Sequence, residues 1–181
     1  MFLFPSHDLG GVADLGKLEL IETKTASGNS VLDFTSIGSY NVHFLTYNGL
    51  ETGTNTIYTE LRLSNDNGTT FETSNYQRAV QYGGTNGSFG ENRTTTADRF
   101  SVLSFSNANT PMTGYCYLYN LTDSTKYSFL THHSSIGTIY MYFGSQLYAV
   151  AETINAIRVM NSGTSENFTS GTVSLYGIAE S

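Results

Sequence analysis

The chain has 181 residues, of which 13% are charged and 13% aromatic, and its formal net charge is −7. This length suits one domain with a substantial core, and the charged fraction lies well below the roughly 25% usual for globular domains. The acidic balance argues against nucleic acid and anionic membranes as partners, because both require a basic surface.

Residues 1–16 follow neither the helical nor the strand period, which predicts an extended N-terminal arm ahead of a single domain at 17–181. The apolar side chains of the arm are those of Phe2, Leu3, Phe4, Leu9, Val12 and Leu15. The arm either folds back along its own domain or docks on a neighbouring subunit, and we assign these six residues to partner binding. The arm is too short for a signal peptide, so we expect assembly in a cytoplasm.

From residue 17 onward, short runs of apolar and polar residues predict strand after strand. The predicted strands are 18–24, 30–35, 40–47, 56–64, 69–72, 76–82, 99–106, 114–121, 127–133, 138–143 and 146–151, followed by 156–160 and 172–178. The stretch 83–97, rich in Gly, Asn and Thr, is interpreted as a long exposed loop, and 152–157 as a helical turn. The pattern favours an all-β antiparallel sandwich of jelly-roll type.

Two stretches carry further structural detail. Residues 154–178 look like the closing β-hairpin, and the second of its strands is expected in the interior because apolar side chains occur on both of its faces. In 56–64, apolar side chains alternate with Tyr58, Glu60 and Arg62, which predicts a half-buried strand with one wet side.

No pattern in the sequence predicts catalysis, a metal or a cofactor. His132 and His133 are adjacent, so on a strand their side chains point to opposite faces and cannot chelate one metal. The glycine cluster within 83–90 has no helix after it to hold a phosphate. No Ser-His-Asp setting or marked carboxylate pair is found, so we expect a protein that is not an enzyme.

The segment SNDNGTTF at 64–71 resembles the Asp-box hairpin of sialidases, which is a structural turn in that family. The resemblance implies that Asp66 bonds local backbone amides and that Phe71 packs beneath the turn, with Gly68 supplying a positive φ. Only this turn geometry is transferred to the present chain, as a structural role for Asp66, Gly68 and Phe71.

The tyrosines and the single cysteine each have two interpretations. Tyr115, Tyr117 and Tyr119 share one strand face, as do Tyr140 and Tyr142, and such ladders either bind sugars or form packing and subunit contacts. Cys116 is either a small buried hydrophobe or a reactive thiol, and it excludes an internal disulfide because it is alone.

Five strand and turn segments occur in a recognisable order: YNVHF at 40–44, ELRLSNDNGTTF at 60–71, SNY at 74–76, INAIRV at 154–159 and SGTVSLYGI at 170–178. Together they resemble a β-sandwich module of tailed-bacteriophage virion proteins, which occurs in decoration, head-fibre and tail-fibre components. The order and approximate spacing of the segments match over about two thirds of the chain. Residues 1–29 and the middle stretch lie outside the match.

The resemblance implies a non-enzymatic virion structural protein whose partners are phage capsid or tail proteins, and a homo-oligomer, with a trimer favoured. We expect a capsid-surface decoration or cement protein, or a short head fibre, assembled into the virion in the bacterial cytoplasm. The alternative is a tail or receptor-binding component that contacts host glycans.

Overall fold

The computed structural model describes residues 16–53, 57–106, 110–137, 140–162 and 166–180. Within these residues the chain forms twelve β-strands and no helix. The strands are β1 (Leu18–Thr25), β2 (Val31–Thr35), β3 (Val42–Thr52), β4 (Ile57–Ser64), β5 (Tyr76–Gly84), β6 (Phe89–Ala97), β7 (Phe100–Ser106), β8 (Met112–Tyr119), β9 (Tyr127–Ile136), β10 (Tyr140–Ala151), β11 (Ala156–Asn161) and β12 (Phe168–Ile178). This part of the chain thus contains no helix that could cross a membrane.

The strands form two antiparallel sheets that pack together as a sandwich. The large sheet has eight strands in the order β1-β12-β3-β8-β9-β10-β5-β6, and the small sheet has four in the order β2-β11-β4-β7. The all-β sandwich predicted from the sequence is therefore confirmed. The jelly-roll connectivity stays a prediction.

The hydrophobic core lies between the sheets, where strand alternation places every second side chain. Leu45, Leu118 and Leu130 supply it from the large sheet, and Leu61 and Val159 from the small one, each at most 1% exposed. Burying one such side chain stabilises the fold by about 1.5–3 kcal/mol. The middle of the inner face of the large sheet is thus occupied by the core.

The prediction of a long loop at 83–97 is wrong, because most of this stretch is strand. β5 and β6 form an antiparallel hairpin, and Tyr82 pairs with Gly90 and Ala79 with Arg93. The turn is confined to the few residues between the strands, where Gly87 has a φ of 84°. The stretch looked like a loop because β6 is an edge strand, whose polar side chains remain in water while its backbone pairs with β5.

The closing hairpin predicted at 154–178 is also wrong, although both of its strands exist. β11 lies in the small sheet between β2 and β4, whereas β12 lies in the large sheet between β1 and β3. The chain therefore crosses between sheets at this point. The predicted interior position of β12 is confirmed, because it has a hydrogen-bonded neighbour on each side.

Three local predictions are also corrected. The two strands predicted at 138–143 and 146–151 are one strand, β10, which continues through Gly144. A Cβ at Gly144 would collide with the carbonyl oxygen of Ala79, so this glycine permits close pairing with β5 and does not end the strand. Residues 69–72 form no strand, and the helical turn predicted at 152–157 is absent, because 156 and 157 begin β11. Side-chain hydrogen bonds hold 69–72 and 152–155 as irregular connections.

Adjacent residues on β12 test the assignment of its two faces. We expect Leu175→Ala to lower the free energy of unfolding by about 2–5 kcal/mol, because Leu175 is fully buried between the sheets. Ser174→Ala should cost less than about 1 kcal/mol, because Ser174 faces solvent and bonds only the exposed Thr23 hydroxyl. Urea unfolding measures both, and equal losses would contradict the assignment.

Candidate functional site

The side of the large sheet that points away from the small sheet, here called the outer face, carries a broad set of large apolar side chains. Strand pairing places them in register, so that Tyr176 of β12, Phe44 of β3 and Tyr117 of β8 follow one another across the sheet. The other large members are Leu18, Leu20, Tyr115, Tyr119, Tyr127, Phe129, Met141, Phe143 and Leu147. The sandwich therefore has apolar surface beyond its core.

Aromatic rings of the outer face touch in a continuous series. The ring of Phe44 lies 4.7 Å from that of Tyr117 and 6.2 Å from that of Tyr176, measured between centroids. His133 extends the series, with its ring centroid 6.1 Å from Tyr115 and 6.4 Å from Phe143. These cross-strand pairs fix the side-chain directions and make the surface rigid.

Several large apolar side chains of the outer face remain open to solvent. The exposed fraction is 58% for Leu20, 51% for Met141, 42% for Phe129 and 39% for Tyr115. Scattered apolar residues are normal on a protein surface, but a contiguous patch of this kind marks an interaction site.

The centre of the outer face also lacks charge. β8, β9, β10 and β12 contain no Asp, Glu, Lys or Arg, and β3 contains only Glu51. The chain has 23 such residues in total, so their absence from four neighbouring or nearly neighbouring strands is a strong bias. Depletion of charge together with enrichment in Tyr and Phe is typical of the buried centre of protein interfaces.

The part of the outer face near β5 differs in having small side chains. Ser145 of β10 pairs with Ala79 of β5, and both are exposed. Two shallow depressions of about 320 Å³ adjoin Ala79, one bounded by Phe143 and Arg93 and the other by Phe129 and Leu147. The outer face therefore has raised aromatic side chains on β12, β3 and β8, and a local recess around Ser145 and Ala79 between the larger side chains of β10.

The two tyrosine ladders noted in the sequence have different environments. Tyr115, Tyr117 and Tyr119 lie on the outer face, whereas Tyr142 is buried and Tyr140 packs against the core. Sequence reasoning missed the partners of the first ladder on other strands, namely Phe44, Phe129, Phe143 and Tyr176. Only the pairing of strands that are distant in sequence brings these residues together.

The histidine prediction is confirmed in its geometry. His132 is 5% exposed and faces inward, whereas His133 lies on the outer face. His43 is also buried, and its Nε2 lies 3.0 Å from the carbonyl oxygen of Ile37. Burial lowers the pKa of His43. Across residues 16–180, apart from the gaps given above, no group of His, Cys, Asp and Glu is arranged to hold a metal.

The turn at 64–71 has the local hydrogen bonds that its sequence predicts. The backbone amide of Thr70 donates to Oδ1 of Asp66 at 2.8 Å, and the Thr70 hydroxyl donates to Oδ2 at 2.7 Å. The Ser64 hydroxyl donates to Oδ1 at 2.8 Å, and Gly68 has a φ of 87°. These donors, above all the Thr70 amide, hold the pKa of Asp66 at about 2, below its ordinary 3.8.

The same turn is fastened to two other connections of the chain. The Asn67 amide oxygen accepts the Ser36 backbone N–H at 2.9 Å, and the Asn67 backbone N–H donates to Oδ1 of Asn155 at 2.7 Å. Phe71 lies under the guanidinium of Arg158, 4.0 Å from the ring centroid, and Arg158 makes a bidentate pair with Asp33. The turn therefore has a structural role at one end of the small sheet.

A buried ion-pair cluster was not foreseen from the sequence. Glu60 is only 3% exposed, which corrects the prediction of a wet side on β4. Arg99 lies 2.9 Å from Oε2 of Glu60, and the Ser101 hydroxyl donates to Oε1 at 2.7 Å. Burial raises the pKa of Glu60, while Ser101 and Arg99 oppose that shift. Arg99 and Arg62 also pair with Asp98, so these charges are compensated within the fold.

Cys116 lies on the inner face of β8 and is fully buried. Burial raises the pKa of its thiol, so the thiolate that a reactive cysteine requires is disfavoured. The interpretation as a small buried hydrophobe fits this environment. The arm residues Phe2, Leu3, Phe4, Leu9, Val12 and Leu15 lie outside the described residues, and their assignment to partner binding stays a prediction.

Comparison with known proteins gives no assignment. No protein-family model matches the chain, and no curated protein is significantly similar to it in sequence.

The role of Asp66 is testable through acid unfolding. Because its folded-state pKa is depressed, the carboxylate contributes stability above about pH 4 that is lost as the pH falls towards 2. We expect Asp66→Asn to be less stable than the original chain at pH 7, and the difference to shrink between pH 4 and 2. Thermal unfolding across this range measures it, and a difference independent of pH would contradict the assigned role.

Proposed function

We propose that the protein is a non-enzymatic structural component of a tailed-phage virion, most simply a capsid-surface decoration or cement protein or a short head fibre. The observation that carries this proposal is the aromatic outer face of the large sheet, whose centre lacks charge. A surface with rings already in mutual contact and no charge to desolvate at its centre is suited to permanent contact with another protein.

The titratable groups described above favour structural roles over chemistry. Asp66 is occupied by the Thr70 and Ser64 donors, and Glu60 by Arg99 and Ser101. A general acid or base needs access to substrate as well as a shifted pKa, whereas Glu60 is almost fully buried. These contacts support a rigid building block.

The resemblance supports a virion component in particular. Its segments fall on β3, on β4 with the Asp66 turn, and on β11 and β12, which are strands of both sheets. On this proposal the arm at 1–16 anchors the protein to a capsid or tail partner, and the particle is assembled in the bacterial cytoplasm.

One observation favours the second candidate, a tail or receptor-binding component that contacts host glycans. Aromatic rings on the outer face lie beside hydroxyl groups of Thr46, Thr131 and Ser145. Rings that stack on apolar sugar faces, combined with hydroxyls that bond sugar oxygens, are a common arrangement in small-ligand recognition.

The proposal is tested on phage particles. We expect peptides of this chain in density-gradient-purified particles from the bacterium that carries its gene, in copy numbers of the order of the capsid subunits. Mass spectrometry with labelled standard peptides measures the ratio. Hundreds of copies support a capsid position, and about a dozen would favour a tail position, because symmetry sets the copy number.

Absence of the chain from such particles would contradict the proposal. A glycan array separates the two candidates: a decoration protein should give no signal, whereas binding that is lost in Tyr115→Ala would favour the receptor-binding alternative.

A further inference from the structure

One row of side chains crosses the whole outer face, and its members change in size along the way. In order from β1 to β6 they are Leu20, Tyr176, Phe44, Tyr117, Thr131, Ser145, Ala79 and Arg93. Thr131 on β9 divides the row. Large side chains lie on one side of it, and the two nearest side chains on the other side are small.

We propose that the outer face binds the outer face of a second copy of this chain, around a two-fold axis that runs along β9. Such a rotation keeps each row of one copy opposite the same row of the other copy. It reverses the order of the strands, so that β8 of one copy lies over β10 of the other. Tyr117 of one copy then lies over Ser145 of the other, and Phe44 lies over Ala79. In this row the aromatic side chains of each copy fill the recess around Ser145 and Ala79 of its partner, as an isologous interface requires.

The depressions support this pairing. Both adjoin Ala79, and each measures about 320 Å³, which leaves space above the small side chains for an incoming ring. In the neighbouring row Tyr115 would lie over Phe143 beside one depression, which is a contact between two rings. Aromatic side chains seated in pockets at the centre of an interface supply most of its binding energy.

Charge is consistent with a second copy as the occupant. Two chains of net charge −7 repel each other, but the middle of this interface contains no charged side chain on β8, β9, β10 or β12. At the rim, Arg93 would lie over Tyr176, which permits a cation–π contact. The nearest acidic group there, Glu91, already lies 3.4 Å from Arg93 of its own chain.

The area is in the range of a stable dimer. A rotation about β9 places the seven strands from β12 to β6 opposite one another, whereas β1 has no strand opposite it. Seven strands at about 4.8 Å spacing span roughly 29 Å, and eight residues at about 3.3 Å rise span roughly 26 Å. The shared area is therefore about 750 Å², close to the roughly 800 Å² per partner of a standard protein interface. The inference concerns the purified chain and does not rest on its being a virion component. It differs from the trimer that the resemblance implies.

A cross-linking experiment tests the position of the axis. In Thr131→Cys the new thiols of the two copies face each other across the two-fold axis. The natural Cys116 is buried and does not compete for the cross-linker. We expect a short bis-maleimide to convert most of this full-length variant into covalent dimers. Leu20→Cys is the matched control, because Leu20 is equally on the outer face but lies four strands from β9, so that its two copies would be about 38 Å apart.

A size exchange tests the large-over-small pairing. Tyr117→Ser removes a ring and Ser145→Tyr fills the recess, so we expect each to weaken dimerisation about 30-fold or more, as measured by analytical ultracentrifugation. The double variant should recover at least part of the loss, because the tyrosine introduced on β10 of each copy would lie over the serine introduced on β8 of the other. Circular dichroism and thermal unfolding verify that all variants are folded.

Several outcomes would overturn the inference. These are a monomer or a trimer at micromolar concentration, cross-linking of Leu20→Cys but not Thr131→Cys, and no recovery in the double variant. A chain that dimerises only after removal of residues 1–15 would also overturn it, because the arm would then be the occupant of the outer face. A dimer of about twice the 19.8 kDa chain mass, with the expected cross-link, supports it.

Discussion

The alternation of side chains along a strand, combined with the unequal width of the two sheets, is the constraint on which the rest of the structure depends. Each strand of the large sheet presents two faces, and the small sheet covers only the inner one. Leu45 and Leu118 are buried in the core, while their neighbours Phe44 and Tyr117 point to the outer face. A chain that places aromatic rings on both faces has a core and a second apolar layer, and that second layer requires a partner.

The contrast between the outer face and the rest of the surface links structure to function. Charged side chains are present in the chain, but many of the described ones lie at the Asp66 turn, around Glu60, along the sheet edges and in the connection between β8 and β9. In these places they fasten loops or pair with one another. The centre of the outer face is left without charge, which lowers the cost of removing it from water. A rigid sandwich with one apolar face that is uncharged at its centre is suited to assembly with another protein.

Much of the fold could be predicted because strand formation depends on local patterns. Alternation located β1 to β5 and β7 to β12 with ends that differ by up to five residues, and with β10 divided in two. The Asp66 turn was recognisable because its hydrogen bonds join residues within one short segment. β6 was missed because an edge strand can be polar on both faces. The split of β10 at Gly144 was wrong because the close approach of Ala79, which explains that glycine, comes from a distant strand.

The candidate site was less predictable, because the pairing and register of the strands decide which side chains come together on the outer face. Tyr115 and Tyr142 look alike in sequence, yet one is on the outer face and the other is buried. The alternation on β4 predicts an exposed Glu60, whereas Arg99 and Ser101, which lie far from it in sequence, pair with its buried carboxylate. Such facts depend on which strands pair, and period-two patterns do not specify the partner.

The central claim is that the outer face is covered by another protein surface, and hydroxyl-radical footprinting measures this most directly. Phe129 lies at the centre of that face with 42% exposure, whereas Phe71 is half-buried in the turn at one end of the small sheet, away from that face. As the concentration of the purified protein is raised, oxidation of Phe129 should fall several-fold while oxidation of Phe71 stays constant. Oxidation of Phe129 that stays constant at every concentration would contradict the account.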